Sequence, residues 1–276
     1  MSSPPAGPAE DAYLPGGGPA EIRHLVHQAE VYAAEATQLL ERAGIAAGAR
    51  AADIGCGVLG IVHLLCDSVG PGGRVVGVDR EQKIIDYARE AARRRGLAAE
   101  FIQDDATALG LPAGEFDFVH CRTLLLNVSQ PERVLTEMVR ITRPGGVVAA
   151  QEPDSAAWVC DPAHPAFERL RDELVAAYAS AGKDFNIGRR LGRLLRQAGL
   201  TGVEVVPTAR VTKPGDYYQT FLLALTGLVR EQILAGGRLS AGEFSSLSAE
   251  LGEHLGQADT LTCQPLLWQA WGTKPR

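Results

Sequence analysis

The chain has 276 residues, of which 46% are hydrophobic and 22% charged. This composition is ordinary for a globular protein and leaves ample room for a core, in one domain or in one domain with a cap. The formal net charge of −6 argues against a nucleic-acid partner, because phosphate binding needs a concentrated basic surface. No apolar run reaches the length of about 18 residues that a membrane helix needs, so no membrane partner is expected either.

The cysteines and histidines indicate neither a disulfide framework nor a metal site. The five cysteines are odd in number and show no C-x-x-C spacing, so we expect reduced thiols in a cytoplasmic protein. The six histidines and the acids show no metal-ligand spacing, and no metal is expected. The N-terminus lacks the basic start and apolar core of a signal peptide. The excess of arginine over lysine is typical of a GC-rich bacterial genome.

The N-terminal region predicts a flexible segment followed by a cap helix. Residues 1–20 are rich in proline, alanine and glycine, and we expect them to be disordered. From Glu21 to Ala43 apolar residues recur at three- and four-residue steps, which predicts a helix that ends at Gly44. A helix ahead of the first strand commonly lies across the mouth of a pocket, so we assign residues 21–44 to a cap.

The next hundred residues alternate between strand and helix patterns. The predicted strands are 50–54, 74–78, 99–103, 116–121 and 147–151, and the predicted helices between them are 58–69, 81–95 and 131–141. This alternation predicts an α/β fold with a doubly wound, mostly parallel, Rossmann-like sheet.

After Pro153 the alternation of strand and helix patterns ends, and helical patterns predominate. The patterns predict helices at 166–181, 188–198, 217–234 and 241–255, with strands at 203–211 and 261–271. We expect the last strand to be antiparallel and to lie at the sheet edge. The predicted Rossmann-like core is therefore residues 45–212 and 258–276, and residues 213–257 form a helical lid insertion.

The stretch from Asp53 to Gly60 is a strand end followed by a glycine turn, which is how such sheets open a nucleotide pocket. Gly55, Gly57 and Gly60 fit the G-x-G-x-x-G dinucleotide fingerprint, and Asp79 lies at a suitable distance for the ribose acid. Asp53 argues against a dinucleotide, because its carboxylate would lie near two phosphates of like charge. It would instead attract the ammonium and sulfonium of S-adenosylmethionine.

Later stretches occur in the order found in one enzyme family. Over residues 45–155 the chain resembles a class I S-adenosylmethionine-dependent methyltransferase of the small-molecule type, through Val76-Gly77-Val78-Asp79, Gln103-Asp104-Asp105-Ala106, Phe116-Asp117-Phe118-Val119 and Arg143-Pro144-Gly145-Gly146. The family's first motif is acid-x-Gly-x-Gly-x-Gly. Here Leu59 replaces its third glycine, and Gly60 follows one place late.

The resemblance implies roles for residues in the cofactor site. Asp79 would accept hydrogen bonds from both ribose hydroxyls, and Arg80 would lie against the adenine. Asp105 and the backbone of Ala106 would contact the adenine amino group. The methionine end would lie at Gly55 and Gly57, near Asp53, with Cys56 contributing its backbone amide. Further predicted contacts are Gln28 and Tyr13 from the cap, and Arg122, which would bind the methionine carboxylate or pair with a neighbouring acid.

The sequence determines the catalytic group less well than the cofactor site. Methyl transfer is an in-line displacement in which orientation supplies much of the acceleration, and a base is needed only where the acceptor must lose a proton. Glu152, after the fifth strand, is the leading candidate base, followed by His24; His27, His120 and Asp154 are further candidates. The predicted acceptor-site residues are Asn127, Asp154, His27, Tyr217 and Tyr218.

The sequence predicts a cytoplasmic enzyme that methylates an O, N or C atom of a small, specialised metabolite, with S-adenosylmethionine as cofactor. Three alternatives remain open: a cyclase of the same fold that retains the cofactor, an NAD-dependent oxidoreductase, and a non-catalytic binding protein. A homodimer is expected only because dimers are the commonest oligomers.

Overall fold

The computed structural model describes residues 19–276, with side chains from Leu25 onward. The predicted cofactor contact Tyr13 therefore lies outside the described residues, and so does the side chain of the candidate base His24. None of the helices in this part of the chain is both long and apolar enough to span a membrane.

The described residues form a seven-stranded sheet, a small three-stranded sheet and ten α-helices. The strands are β1 (Arg50–Ile54), β2 (Arg74–Asp79), β3 (Ala99–Gln103), β4 (Phe116–Arg122), β5 (Thr142–Asp154), β6 (Val159–Asp161), β7 (Thr201–Thr208), β8 (Val211–Thr212), β9 (Leu261–Cys263) and β10 (Leu266–Thr273). The helices are α1 (Pro19–Val31), α2 (Ala33–Ala43), α3 (Val62–Val69), α4 (Gln82–Arg95), α5 (Pro131–Ile141), α6 (Pro165–Ser180), α7 (Leu191–Gln197), α8 (Phe221–Leu228), α9 (Arg230–Ala235) and α10 (Ala241–Leu255).

The large sheet has the strand order β3-β2-β1-β4-β5-β10-β7. Pairs among β1 to β5 are parallel, and β10 is antiparallel to both β5 and β7. The predicted parallel sheet with an antiparallel last strand is therefore confirmed. The prediction that this strand forms the edge is wrong, since β10 lies between two neighbours and β7 is the outermost strand.

Hydrophobic side chains cover both faces of the sheet, as a doubly wound fold requires. One buried cluster includes Phe116, Leu135 and Trp158, and the other includes Leu39 and Phe118. The strand order reverses at β1, which has β2 on one side and β4 on the other. The carboxyl ends of these strands therefore border the crevice where ligands bind in open α/β sheets.

Several predicted elements are interrupted where the chain changes direction. The single cap helix is two helices, because Tyr32 leaves helical geometry with φ −94° and ψ 12°. The strand predicted at 203–211 is divided into β7 and β8, and the one at 261–271 into β9 and β10. Each pair connects the large sheet with the small one, in which β9 lies between β6 and β8. The helix predicted at 217–234 ends at Leu228, and α9 begins at Arg230.

Candidate active site

The glycine turn after β1 is built around the carboxylate of Asp53. Gly55, Gly57 and Gly60 all have positive φ, with values of 71°, 54° and 48°. A Cβ atom on Gly60 would overlap Asp53 Oδ2 and lie 2.7 Å from the carbonyl oxygen of Cys56. Gly60 is thus required by packing against this carboxylate. Leu59, which stands in place of the motif's third glycine, is buried in the core and is not part of the cavity wall.

The Asp53 side chain is only 2% exposed, and both of its oxygens have protein partners. Oδ2 accepts a hydrogen bond of 3.1 Å from the N–H of Ile61, and Oδ1 lies 2.8 Å from Nδ1 of His120. We predicted that this carboxylate attracts the ammonium and sulfonium of S-adenosylmethionine. The structure places it beneath the turn, where it contributes to the cavity wall while also holding the start of α3.

His120 belongs to a buried polar chain that crosses the sheet. Its Nε2 lies 3.2 Å from Gln151 Oε1, Gln151 donates to Gln269 at 2.7 Å, and Gln269 donates to Thr208 at 3.0 Å. The chain therefore links β1, β4, β5, β10 and β7. His120 is fully buried between Asp53 and Gln151, so the structure does not bring this candidate base to an acceptor.

A cavity of about 350 Å³ lies at the carboxyl ends of β1, β2 and β4. The predicted cofactor residues that line it are Gln28, Asp53, Gly55, Cys56, Gly57, Asp79, Arg80, Asp105, Ala106 and Arg122. The predicted acceptor residue Asn127 lines it too. Sequence reasoning missed Thr123, Gln130 and Arg133, which line the cavity from the segment after β4.

Asp79, at the end of β2, ties the glycine turn to the second strand. Its Oδ2 accepts from Gly57 N–H at 3.0 Å and its Oδ1 accepts from Glu81 N–H at 3.1 Å. Burial raises the pKa of this carboxyl, and the two N–H groups oppose that rise. Since each carboxylate oxygen has a second lone pair, Asp79 can still accept from the two hydroxyls of a ribose.

Asp105 is held in a tight turn. Its Oδ1 accepts from the N–H and the hydroxyl of Thr107, both at 2.7 Å. Burial alone would raise the pKa of Asp105, but these two hydrogen bonds and the charges of Arg80 and Arg133 bring it below its ordinary value. Asp105 is therefore an ionised hydrogen-bond acceptor at the cavity, as reading an adenine amino group requires. Arg80 lies beside it and also contacts Glu81 at 3.3 Å.

Arg122, the last residue of β4, is a buried cation that forms no salt bridge with an acid in the described part of the chain. Only 6% of it is exposed, and its Nη1 has no hydrogen-bond partner among the described residues. Its guanidinium lies 5.8 Å from the ring centroid of Tyr32. Burial lowers the pKa of Arg122, while the charge of Asp53 raises it. Of the two predicted roles for Arg122, pairing with a neighbouring acid is not observed within residues 25–276, and binding an anionic ligand group fits the geometry of its unpartnered Nη1.

Glu152 lies at the end of β5 but does not reach either cavity. The residue is fully buried, and its carboxyl accepts from the N–H groups of Leu124, Leu125 and Leu126 at 2.9, 2.7 and 3.3 Å. Burial raises its pKa to about 8, against the opposing effect of these N–H groups. The geometry thus corrects the interpretation of Glu152 as a base, because its oxygens are committed to the backbone.

Asp154 is likewise committed to protein partners. It pairs with Arg189 and accepts from Ala156 N–H at 2.8 Å, and it is 1% exposed. Neither cavity includes it, so the structure does not bring this predicted acceptor residue to the site.

A second cavity, of about 60 Å³, adjoins the first. The two have Leu25, Gln28, Thr123 and Asn127 in common. The rest of the second cavity is mainly apolar and aromatic, and is lined by Tyr32, Leu126, Pro153, Tyr178, Phe185, Phe221, Leu225, Leu228, Pro265 and Leu267. These residues come from distant parts of the chain, and their only signal in the sequence is hydrophobic periodicity.

The other predicted acceptor residues lie around this region without lining it. His27 of α1 stacks on Tyr217, with ring centroids 4.0 Å apart and an interplanar angle of 6°. Tyr218 is buried and packs against Tyr32 and Phe221. These three residues join the cap to the segment that leads into α8, and none of them lines either cavity.

Comparisons with known proteins agree with this geometry. Residues 52–150 match the family model described as a methyltransferase domain. The chain is 31% identical over 235 residues to an uncharacterised 37.1 kDa protein in transposon TN4556 of Streptomyces fradiae, covering 84% of this chain and 65% of that protein, slightly under two thirds of its length. It is 28% identical over 182 residues to the demethylmenaquinone methyltransferase of Geobacillus kaustophilus, covering 61% of this chain and 78% of that enzyme.

A solved structure shows the same fold. Phosphoethanolamine N-methyltransferase 2 of Haemonchus contortus, in complex with S-adenosylhomocysteine, aligns with a TM-score of 0.53 and 18% identity, covering 87% of this chain and 52% of that one. The alternative of an NAD-dependent oxidoreductase loses its main support, because Gly60 is explained by packing against Asp53. The ordered motifs and the matched family model identify residues 52–150 as a methyltransferase domain, and the seven-stranded sheet contains all of its strands.

Proposed function

We propose that this enzyme transfers the methyl group of S-adenosylmethionine to an O, N or C atom of a small, largely apolar acceptor. The observation that carries this proposal is the second cavity, which is apolar and adjoins the cofactor cavity through the wall that both have in common. Apolar pockets with a few polar groups are typical of small-molecule sites. The similarity to a demethylmenaquinone methyltransferase supports acceptors that resemble demethylmenaquinone.

The residues of the larger cavity fit the cofactor by chemistry. In our proposal Asp79 accepts from the ribose hydroxyls, Asp105 and the backbone of Ala106 bind the adenine edge, and the glycine turn admits the methionine end. The buried guanidinium of Arg122 pairs with the methionine carboxylate, which gives its unpartnered Nη1 an acceptor. Gln28 closes the cavity from the cap.

Bound S-adenosylmethionine supplies a methyl group on a positively charged sulfonium leaving group. The protein's contribution is to hold the acceptor atom in line with that methyl and to exclude water. Orientation of this kind has effective molarities of about 10⁵ M or more. Neither cavity includes Glu152, Asp154 or His120, so our proposal assigns the acceleration to orientation in the pocket.

Calorimetric titration with S-adenosylhomocysteine and with NADH tests the cofactor assignment. We expect binding of the first ligand only; binding of NADH alone would refute the proposal. Turnover of methyl-labelled S-adenosylmethionine with a metabolite extract then tests the reaction. Label in an organic-soluble product supports methyl transfer, whereas consumption of a metabolite without incorporated label identifies a cyclase, and no reaction identifies a binding protein.

A further inference from the structure

A short segment, Thr123–Asn127, separates the two cavities, and we call it the dividing wall. Thr123 and Asn127 line both cavities, Leu124 lines the cofactor cavity and Leu126 lines the second. The wall therefore borders both cavities. A displacement of the wall would change cofactor binding and acceptor placement together.

The dividing wall does not have the regular backbone that would fix it by itself. Thr123 has a φ of 50°, in the left-handed region that residues with a Cβ rarely adopt, and Leu125–Asn127 form a single turn of 3-10 helix. The first N–H groups of such a turn have no partner within it. Here Leu125 and Leu126 are buried, so their N–H groups need acceptors from elsewhere.

Glu152 supplies those acceptors from the neighbouring strand. Its Oε1 accepts from Leu124 and Leu125, and its Oε2 accepts from Leu126. Thr123 N–H donates to the carbonyl oxygen of Gln151 at 2.9 Å, and Asn127 Nδ2 donates to the carbonyl oxygen of Thr123 at 2.9 Å. Residues 123–126 of the wall are thus fastened to the end of β5, and Asn127 is tied back to Thr123.

We infer that Glu152 is a positioning residue of the methyl-transfer reaction, which sets the dividing wall between the cofactor and the acceptor through three backbone hydrogen bonds. The inference rests on the proposed function, and it assigns Glu152 no contact with either ligand. This role requires a hydrogen-bond-accepting oxygen at the position of the Glu152 carboxyl. A glutamine amide keeps such an oxygen and should preserve most of the role, whereas an alanine side chain keeps none. A base, in contrast, cannot be replaced by glutamine.

The experiment compares Glu152→Gln and Glu152→Ala with wild type. Three quantities are measured: the dissociation constant of S-adenosylhomocysteine, hydrogen–deuterium exchange of residues 123–127, and turnover of labelled S-adenosylmethionine with the metabolite extract. We expect Glu152→Ala to weaken S-adenosylhomocysteine binding about tenfold and to speed exchange in the wall about 100-fold. Turnover should fall by at least the factor by which binding weakens. We expect Glu152→Gln to stay within about threefold of wild type in all three.

Glu173 provides a matched control, since it is a buried glutamate of α6 that pairs with Arg169 and Arg238 and lines neither cavity. Glu173→Ala should lower the melting temperature without changing wall exchange or S-adenosylhomocysteine binding. If Glu152→Ala does not fold, Glu152→Asp replaces it, with the same loss expected because its carboxyl is one methylene short of the wall.

Two results would overturn the inference. Loss of turnover in Glu152→Gln with unchanged S-adenosylhomocysteine binding would make Glu152 a base. Unchanged wall exchange and binding in a folded Glu152→Ala or Glu152→Asp variant would make its role merely structural. Failure of wild type to bind S-adenosylhomocysteine would refute the proposed function instead, and wall exchange would still report whether Glu152 holds the segment.

Discussion

The two cavities that meet at the dividing wall are built in different ways. The cofactor cavity is made largely of turns that follow parallel strands, where carboxylates such as Asp53, Asp79 and Asp105 fix nearby backbone N–H groups. The second cavity is made of apolar side chains from α1, α6, α8, β10 and the loops between them. The first is therefore defined by local hydrogen bonding and the second by packing between distant segments. Substitutions should distinguish the two cavities, because hydrogen-bonded turns and apolar packing are sensitive to different changes.

The largest effect is expected at Gly60, whose added Cβ would overlap Asp53 Oδ2. Gly60→Ala must displace either the carboxylate or the turn, so we expect S-adenosylhomocysteine binding to weaken by about 100-fold or more. Gly96→Ala is the matched control, because Gly96 also has a positive φ, with φ 65° and ψ 27° in the left-handed region, but its Cβ would meet nothing within 4 Å. That variant carries only the backbone strain, about 1 kcal/mol. Equal binding by the two variants, measured by calorimetry, would show that the turn is not held by Asp53.

The next largest effect concerns Arg122, which we assign to the methionine carboxylate. Arg122→Leu should weaken S-adenosylhomocysteine by about 10- to 100-fold, as expected for a charge-assisted hydrogen bond worth about 1.5–3 kcal/mol. Binding of 5′-methylthioadenosine, which lacks the amino-acid tail, should change by less than about threefold. The melting temperature without ligand should change little, because the variant removes a guanidinium that is costly to bury and whose Nη1 has no hydrogen-bond partner among the residues that the structure describes. An equal loss for both ligands would place Arg122 elsewhere in the site.

The same contrast explains what the sequence could predict. Strand Ala99–Gln103 and helices Pro131–Ile141 and Ala241–Leu255 have the predicted bounds, because their signals are local. Pro131 occupies the first turn of α5, and Ser240 and Glu243 form a capping box at α10. The cofactor residues follow strand ends in a fixed order, so most of their positions around the cavity were also predictable.

The roles of Glu152 and Asp53 were not predictable in this way, because their hydrogen-bond partners include residues that are far away in the sequence. Glu152 contacts a segment about 27 residues away in the chain, and Asp53 faces His120 across a strand pair. A carboxylate at a strand end looks the same in the sequence whether it faces a ligand or a buried N–H group. The acceptor cavity has the same difficulty, since Phe185 and Leu267 meet there only after the chain has folded.

A smaller effect, restricted to the acceptor, is expected at Leu228. Leu228→Phe adds volume to the second cavity, so we expect turnover of labelled cofactor to fall about tenfold, while the dissociation constant of S-adenosylhomocysteine changes by less than about twofold. Leu234→Phe is the matched control, since Leu234 is also half-buried but lines neither cavity. Overpacking costs about 1–3 kcal/mol of stability in either variant. Unchanged turnover in Leu228→Phe would separate the second cavity from the reaction.

The smallest effect on cofactor binding is expected at Gln269, and it tests how far the cofactor region extends across the sheet. Gln269 is two strands beyond His120 in the buried polar chain, accepts from Gln151 at 2.7 Å and lines neither cavity. Gln269→Leu leaves the buried amide of Gln151 without its acceptor, at about 1–3 kcal/mol. For a chain of this size, that corresponds to a fall of roughly 3–10 °C in melting temperature.

Because the change is relayed through an amide and an imidazole before it reaches Asp53, we expect the dissociation constant of S-adenosylhomocysteine to stay within about twofold of wild type in Gln269→Leu. The exposed Gln257 gives the control, and Gln257→Leu should leave both quantities unchanged. A weakening of more than tenfold in Gln269→Leu alone, measured by calorimetry at a temperature where it is fully folded, would mean that the polar chain tunes Asp53. The cofactor region would then extend across the sheet to β7, and local hydrogen bonding would no longer distinguish it from the acceptor region.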